Sequence, residues 1–223
     1  MKRDKTSVSQ EDYLKAIGEM LEENQTPISA RLAEELGVTP PAVTAALKRM
    51  TRDELVRVER SGRIDLTRKG RSLAERLALR HQLAELLLTE VIGLSWAKAH
   101  GEAERMEHAI SPEVEALLLK RFGDKRSCPH GVPMRGGLAK LRGQGAVLLS
   151  ELRAGDSAEI VAVYEKDGEF LEFLEGLRLR PATQVEVLKR EYDETMTLRA
   201  AGKTMHLGKP ATTRIWVRKD GKS

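Results

Sequence analysis

The chain has 223 residues, 40% hydrophobic, 4% aromatic and 32% charged, with a formal net charge of +4 at pH 7. That length suits one or two domains with room for a small third, and the aliphatic content is enough to build real cores. No run of eighteen apolar residues is present, which excludes a helical membrane span. The polar first ten residues lack the apolar stretch of a secretory signal, and the single cysteine, Cys128, cannot form an internal disulfide, so a cytoplasmic protein is expected.

In chain order, Tyr13, Leu14, Ile17, Met20 and Leu21 recur at helical spacing, with Ser9 as the expected N-cap and Glu11 and Asp12 in the first turn. Ile28, Leu32 and Leu36 mark a second helix that Gly37 ends. Thr39-Pro40-Pro41 resets the chain for a third helix carrying Val43, Leu47 and Met50. Residues 55–59 and 63–66 read as two strands joined at Ser61-Gly62. From 69 to 122 the chain reads as almost wholly helical, with Leu73, Leu77, Leu83, Leu86, Leu87 and Val91 as a core-facing stripe and Gly93 as a stop. A helix over 98–110 follows, then another that Ser111-Pro112 opens. The glycine- and proline-rich stretch 128–145 reads as a linker. Beyond Val147 the texture changes to short alternating strands at 158–164, 184–189, 195–199 and 213–217, interrupted by a helix at 169–177, which suggests a small β-barrel. The expected fold is mainly α and multidomain: a winged helix-turn-helix over 1–71, a helical region over 72–134, a linker over 135–145 and the barrel over 146–223.

Charge is distributed unevenly. Residues 37–80 carry eleven Lys/Arg against five Asp/Glu, whereas 81–130 carry six against eight. A cationic segment followed by an acidic one points to a polyanionic partner and then a cation. The segment 28–43 has helix-turn-helix grammar: Ala33 lets two helices cross closely, Gly37 permits the sharp turn and Val38 can plug the space between them. The second helix would enter a DNA major groove by its N-terminal end, presenting Thr39, Pro41, Ala42, Thr44 and Ala45 to the bases. These small side chains contact thymine methyls but make few bidentate hydrogen bonds, so DNA shape and dimer spacing are expected to supply much of the specificity. Arg31, Lys48, Arg49 and Arg52 are the expected phosphate contacts, and Arg60 and Arg63 sit at the tip of a wing.

The acidic segment holds a second constellation: His81, Glu85, His100, Glu104, Glu107 and His108. His81 and Glu85 are i,i+4 neighbours. With about 100° per helical residue, Glu104, Glu107 and His108 fall with His100 in an arc of roughly 100° on one helix. Carboxylates crowded in this way repel one another unless a cation lies among them. Mixed imidazole and carboxylate donors suit Mn²⁺, Fe²⁺, Co²⁺ or Zn²⁺.

Glu11-Asp12-Tyr13-Leu14, Arg80-His81-Gln82-Leu83-Ala84-Glu85, Val91-Ile92-Gly93-Leu94, the stretch from His100 to His108, and Cys128-Pro129-His130-Gly131 together resemble the diphtheria-toxin-repressor family of metal-dependent regulators, and especially its manganese-sensing branch. The likeness is strong over 8–134 and weaker through the last region, which is similar to the family's SH3-like domain. The resemblance implies a homodimer that binds a palindromic double-stranded DNA operator when loaded with metal and represses metal-uptake genes. It implies two metal sites per subunit. One joins Asp12 and His81 or a close neighbour with Glu104, Glu107 and His108. The other is built from Glu85, Cys128 and His130, with His100 as a further candidate, and is completed by an acidic residue of the last domain, for which Asp167 and Glu169 are the candidates. Iron-type members place sulfur ligands where this chain has Asp12 and Glu104, and hard oxygen in their place favours Mn²⁺ over Fe²⁺, with Zn²⁺, Co²⁺ or Cd²⁺ able to substitute in vitro. Lys15 departs from the family pattern, standing where two-domain manganese regulators carry a carboxylate. The apolar side of the helix from Trp96 onward, with Trp96 as anchor, is one expected dimer face; an intradomain core role for Trp96 is the other expectation. A metal-dependent hydrolase and a metal-independent transcription factor are the competing readings. The first leaves the basic segment unused, and the second predicts operator binding insensitive to chelators.

Overall fold

The computed structural model describes residues 10–220. The expected cap Ser9 lies outside them. The chain divides into two compact units, residues 1–79 and 80–223, so the expected last domain and all but residues 72–79 of the expected middle one fall in one unit.

In the first unit, helices α1 (Gln10–Glu22), α2 (Ser29–Glu35) and α3 (Pro40–Arg52) precede a hairpin of β1 (Val56–Val58) and β2 (Ile64–Leu66), as the sequence pattern predicts. Tyr13, Leu14, Ile17 and Met20 from α1 pack with Leu32, Val43, Leu47, Met50, Leu55, Ile64 and Leu66 in one core. The α2–α3 turn depends on Gly37, whose φ of +61° lies where a Cβ is strained. It lets the Val38 amide donate back to Ala33 O (3.0 Å) and brings Val38 against the core.

Helix α4 runs Arg68–Leu86 and continues as a π-helical turn, Leu87–Ile92, that stops at Gly93. The predicted leucine stripe is only partly right. Leu77, Leu83 and Leu86 are buried, but Leu73 and Val91 are exposed. The buried line on α4 instead steps through Gly70, Ala74, Leu77, His81 and Glu85 at i+3/i+4 spacing, so two polar residues occupy positions that periodicity reserves for apolar ones. The wider π turn then shifts the register ahead of Val91.

The second unit continues with α5 (Trp96–Met106), a 3₁₀ turn over Glu107–Ala109 and α6 (Pro112–Phe122), which Ser111 caps by accepting from the Val114 amide. The predicted linker contains helix α7 (Gly137–Gly143), whose Leu141 packs with Trp216 while Arg142 lies over the Trp216 ring. The sheet consists of β3 (Val147–Leu148), β4 (Ser157–Val163), β5 (Gln184–Arg190), β6 (Met196–Ala200), β7 (Lys203–Leu207) and β8 (Ile215–Lys219), in the order β3-β8-β4-β5-β6-β7 and antiparallel throughout. Helix α8 (Gly168–Leu177) follows β4, and the short α9 (Lys209–Thr212) precedes β8.

This corrects the expected barrel. Register shifts at Ile160/Ala162 and Val187/Lys189 bend the strands, but β3 has only two residues and pairs only with β8, and β7 pairs only with β6, so the described sheet stays open. The mainly helical expectation holds for the first two regions, whereas the third is sheet. Trp96 is buried in the core of this sheet with Leu149, Ile160, Leu171 and Leu198, which is the intradomain role and not an exposed anchor.

One close approach positions the site. Gly131 has φ of +88°, and a Cβ there would lie 2.0 Å from Val161 O. Gly131→Ala is therefore expected to lower thermal stability by more than about 1 kcal/mol. Gly143→Ala, whose Cβ meets nothing within 4 Å, is expected to leave the melting temperature unchanged or raised. Equal melting temperatures for Gly131→Ala and the parent would contradict this.

Candidate metal centre

Glu85 is wholly buried, and its Oε1 is the point on which three imidazoles converge. His81 Nε2 lies 3.1 Å away, His130 Nδ1 3.2 Å and His100 Nδ1 3.3 Å. His81 reaches it as the i−4 neighbour on α4, and His100 from α5.

His130 arrives on a tight turn over residues 128–131, closed by the Gly131 amide donating to Cys128 O (3.0 Å). The buried Gln82 side chain donates to Pro133 O (3.1 Å), fixing this segment to α4. The Val163 amide donates to His130 O (3.0 Å), pinning the end of β4 beside the turn. Two residues further, Glu165 enters the cluster: its Oε2 is 3.4 Å from His130 Nδ1 and 3.5 Å from Cys128 Sγ, and its Oε1 is 4.0 Å from His100 Nδ1.

Two groups of potential ligands thus share Glu85 and Glu165. One adds His81 and His100, the other Cys128 and His130, and within each group the ligand atoms lie within 4.8 Å of one another.

The electrostatics of these groups reflect their crowding. Burial pushes the Glu85 carboxyl up, but the imidazoles of His100, His130 and His81 outweigh it and hold it well below the usual carboxylate range. Burial pulls His130 down, yet the Glu165 and Glu85 carboxylates raise its pKa to about 10. Burial, together with the charges of Glu85 and Glu165, pushes the Cys128 thiol well up.

Despite the close distances, hydrogen bonding does not satisfy the cluster. Glu85 Oε2, His100 Nε2 and His130 Nδ1 are buried without a hydrogen-bond partner. Each such group costs about 1–3 kcal/mol. A divalent cation that displaced the protons from His130 and Cys128 would use these positions as imidazole, carboxylate and thiolate donors, so the residues present fit a bound metal. His130 is already oriented for it: its Nε2 lies 2.9 Å from Trp96 O, leaving Nδ1 toward the carboxylates.

The remaining predicted ligands are placed differently. Glu107 is buried, its Oε2 2.5 Å from His81 Nδ1 and its Oε1 3.6 Å from His108 Nε2. Glu104 is half-exposed, with Oε1 3.6 Å from His100 Nε2. Asp12 lies on α1 in the other unit.

From the last region, Glu165 reaches the cluster, and Asp167 and Glu169 do not occupy that place. Asp167 caps α8 by accepting from the Phe170 amide (3.0 Å) and pairs with Arg214 (2.6 Å), while Glu169 lies exposed in the first turn of α8. The signal for Glu165 was the end of the alternating strand: the two residues after Val163 still lie beside the turn pinned to it.

In the first unit every predicted DNA-facing residue is exposed: Arg31, Thr39, Pro41, Ala42, Thr44, Ala45, Lys48, Arg49, Arg52, Arg60 and Arg63. Some are already engaged. Arg31 donates to Thr26 O (2.9 Å), Arg52 pairs with Asp53 (3.2 Å), Arg63 pairs with Asp65 (3.1 Å), and the Thr44 hydroxyl donates to Pro40 O (3.1 Å).

A winged helix-turn-helix with an exposed basic face, together with a buried imidazole–carboxylate cluster, defines a DNA-binding regulator with a cation site. The chain belongs to the iron-dependent repressor family. Residues 5–63 match its N-terminal DNA-binding domain, 67–136 its metal-binding and dimerisation domain, and 147–219 the FeoA domain. The iron-dependent repressor IdeR of Mycobacterium tuberculosis (strain ATCC 25618 / H37Rv) is 40% identical over 158 residues, covering 68% of this chain and 69% of that protein. The diphtheria toxin repressor of Corynebacterium diphtheriae (strain ATCC 700971 / NCTC 13129 / Biotype gravis) is 37% identical over 209 residues, covering 88% and 91%. Among solved structures, a manganese-dependent transcriptional repressor in complex with manganese superimposes with a TM-score of 0.84 at 28% identity, covering 95% of this chain and all of the other. The family consists of transcriptional repressors, not enzymes, which disposes of the hydrolase reading.

Glu165→Ala is expected to weaken Mn²⁺ binding at the buried cluster at least ~10-fold, read by calorimetric titration. Asp167→Ala is expected to leave that affinity unchanged while costing about 1 kcal/mol of stability as a lost N-cap. Equal Mn²⁺ affinity in Glu165→Ala and the parent would reverse the assignment.

Proposed function

We propose that this protein is a manganese-responsive transcriptional repressor that binds a palindromic operator as a homodimer and controls metal-uptake genes from the cytoplasm. The observation that carries the metal response is the set of buried, unpartnered ligand atoms around Glu85. Glu85, His81, His100, Cys128, His130 and Glu165 hold the cation in one cluster. Glu104, Glu107 and His108, with Asp12 added on the sequence resemblance alone, form the other. Oxygen donors at Asp12 and Glu104 favour Mn²⁺, with Fe²⁺ as the next candidate. When bound, the metal supplies a point of positive charge on which carboxylates and imidazoles from separate elements converge.

The chain's own residues do the rest. Lys48, Arg49, Arg52 and Arg60 neutralise phosphates, while Thr39, Pro41, Ala42, Thr44 and Ala45 lie against base edges. With its hydroxyl proton already donated to Pro40 O, Thr44 is left mainly with acceptor and methyl contacts. Sequence preference therefore comes from shape and from the spacing of two readers related by a two-fold axis. Val91, Ile92, Val114 and Leu117 are exposed within the stretch that matches the metal-binding and dimerisation domain, and supply the apolar surface of the dimer. Metal and operator strengthen each other's binding by the same factor.

The test is a mobility-shift titration at fixed salt on a palindromic duplex selected from random sequences, with and without Mn²⁺. Asp12→Ala and Glu104→Ala are expected to abolish the Mn²⁺-stimulated increase while retaining weak, salt-sensitive DNA binding. A parental response in both variants would refute the proposed ligand set.

A further inference from the structure

The sequence resemblance puts His81 in the same ligand group as Glu107, whereas the structure places His81 in the Glu85 cluster and keeps a short contact from it to Glu107. His81 is 3% exposed, and its two ring nitrogens face different residues. Nδ1 lies 2.5 Å from Glu107 Oε2. Nε2 lies 3.1 Å from Glu85 Oε1 and 3.0 Å from His100 Nδ1. Both nitrogens face carboxylates, which when ionised only accept hydrogen bonds, but the Nδ1 contact is the shorter by 0.6 Å, so the single proton of a metal-binding, neutral ring belongs on Nδ1. That leaves Nε2 as the ring's ligand nitrogen, aimed at the carboxylate oxygen shared with His100 and His130. The other Glu107 oxygen, Oε1, is 3.6 Å from His108 Nε2. One carboxylate therefore has an oxygen on each side, orienting an imidazole of the buried cluster and facing an imidazole of the second.

We infer that Glu107 is the positioning residue of the buried metal cluster: it fixes the His81 tautomer so that Nε2 binds the cation beside Glu85, and it thereby joins the two ligand clusters through one hydrogen bond. This rests on the metal-sensing reading above and adds a role for Glu107 beyond direct ligation. Carboxylate–imidazole–metal relays set both the orientation and the basicity of the ligating ring, and losing the outer carboxylate typically costs 10–100-fold in affinity. Because the relay ends on a residue of the second cluster, the two clusters do not fill independently.

The experiment uses ¹⁵N-histidine-labelled full-length protein loaded with ¹¹³Cd²⁺. The expected spectrum shows cadmium coupling at His81 Nε2 and a proton on Nδ1. Coupling at Nδ1, or at neither His81 nitrogen while cadmium occupies the cluster, would overturn the inference. In parallel, Cd²⁺ affinity at the buried cluster is measured by calorimetry. Glu107→Ala is expected to weaken it ~10–100-fold. Glu107→Gln, which keeps an acceptor oxygen for Nδ1, is expected to restore most of it, and Glu102→Gln, which removes an exposed neighbouring carboxylate, is expected to leave it unchanged. A Glu107→Ala protein that binds Cd²⁺ like the parent overturns this inference alone. A parent protein that does not bind Cd²⁺ at the cluster overturns it together with the metal-sensing reading.

Discussion

Glu85 carries a carboxylate with no exposure to solvent, and three imidazoles surround one of its oxygens within 3.3 Å while the other has no partner. A buried charge is costly unless it is paired and fully hydrogen-bonded, and here the pairing is incomplete in a specific way. The groups that lack partners are the lone-pair positions a cation would occupy. Much of the second unit is arranged to hold this configuration. The i,i+4 line on α4 delivers His81 and Glu85, α5 delivers His100, the glycine turn delivers His130 and Cys128, and the end of β4 delivers Glu165. Contacts outside the cluster hold several of these elements in place: Gln82 to Pro133 O, Val163 to His130 O, His130 to Trp96 O, and Glu107 to His81.

That arrangement explains why the sheet and the metal-binding helices form one compact unit. Trp96 illustrates the coupling. Its ring is part of the sheet's core, its carbonyl sets the orientation of His130, and its ring centroid is 5.2 Å from that imidazole. Repacking of the sheet would therefore be felt at the ligands. Low-dielectric surroundings make every unpaired polar group in such a cluster costly, so small displacements there matter.

The sequence made much of this legible, for identifiable reasons. The helix-turn-helix was readable because Gly37 and Pro40-Pro41 punctuate it and because its core residues follow a simple helical period. The pair His81 and Glu85 on α4 was readable because i,i+4 spacing converts directly into a shared face, whereas the single face expected for His100, Glu104, Glu107 and His108 breaks where α5 ends at Met106 and a 3₁₀ turn buries Glu107 beside exposed neighbours. What stayed hidden depends on tertiary placement. Asp167 and Glu169 have the right chemistry, but α8 starts just there and uses Asp167 as its cap, while Glu165 falls beside the turn that the Val163 amide fixes. The leucine stripe was misjudged at Leu73 and Val91 because the buried line on α4 runs through polar residues and ends in a π turn. Helix α7 was hidden by its glycines, and β7, whose exposed edge carries Lys203 and Thr204, lacked the clean alternation that marked its neighbours. No local pattern marks whether a sheet closes, since closure depends on the pairing of its first and last strands.

The account stands on cation occupancy at Glu85, and anomalous diffraction from Mn²⁺-loaded crystals at the manganese edge addresses it directly. The expected map has a peak bonded to the Glu85 carboxylate and to at least one of His81, His100 and His130. Manganese found only on exposed carboxylates, with the space between Glu85 and these imidazoles free of anomalous density, would contradict it.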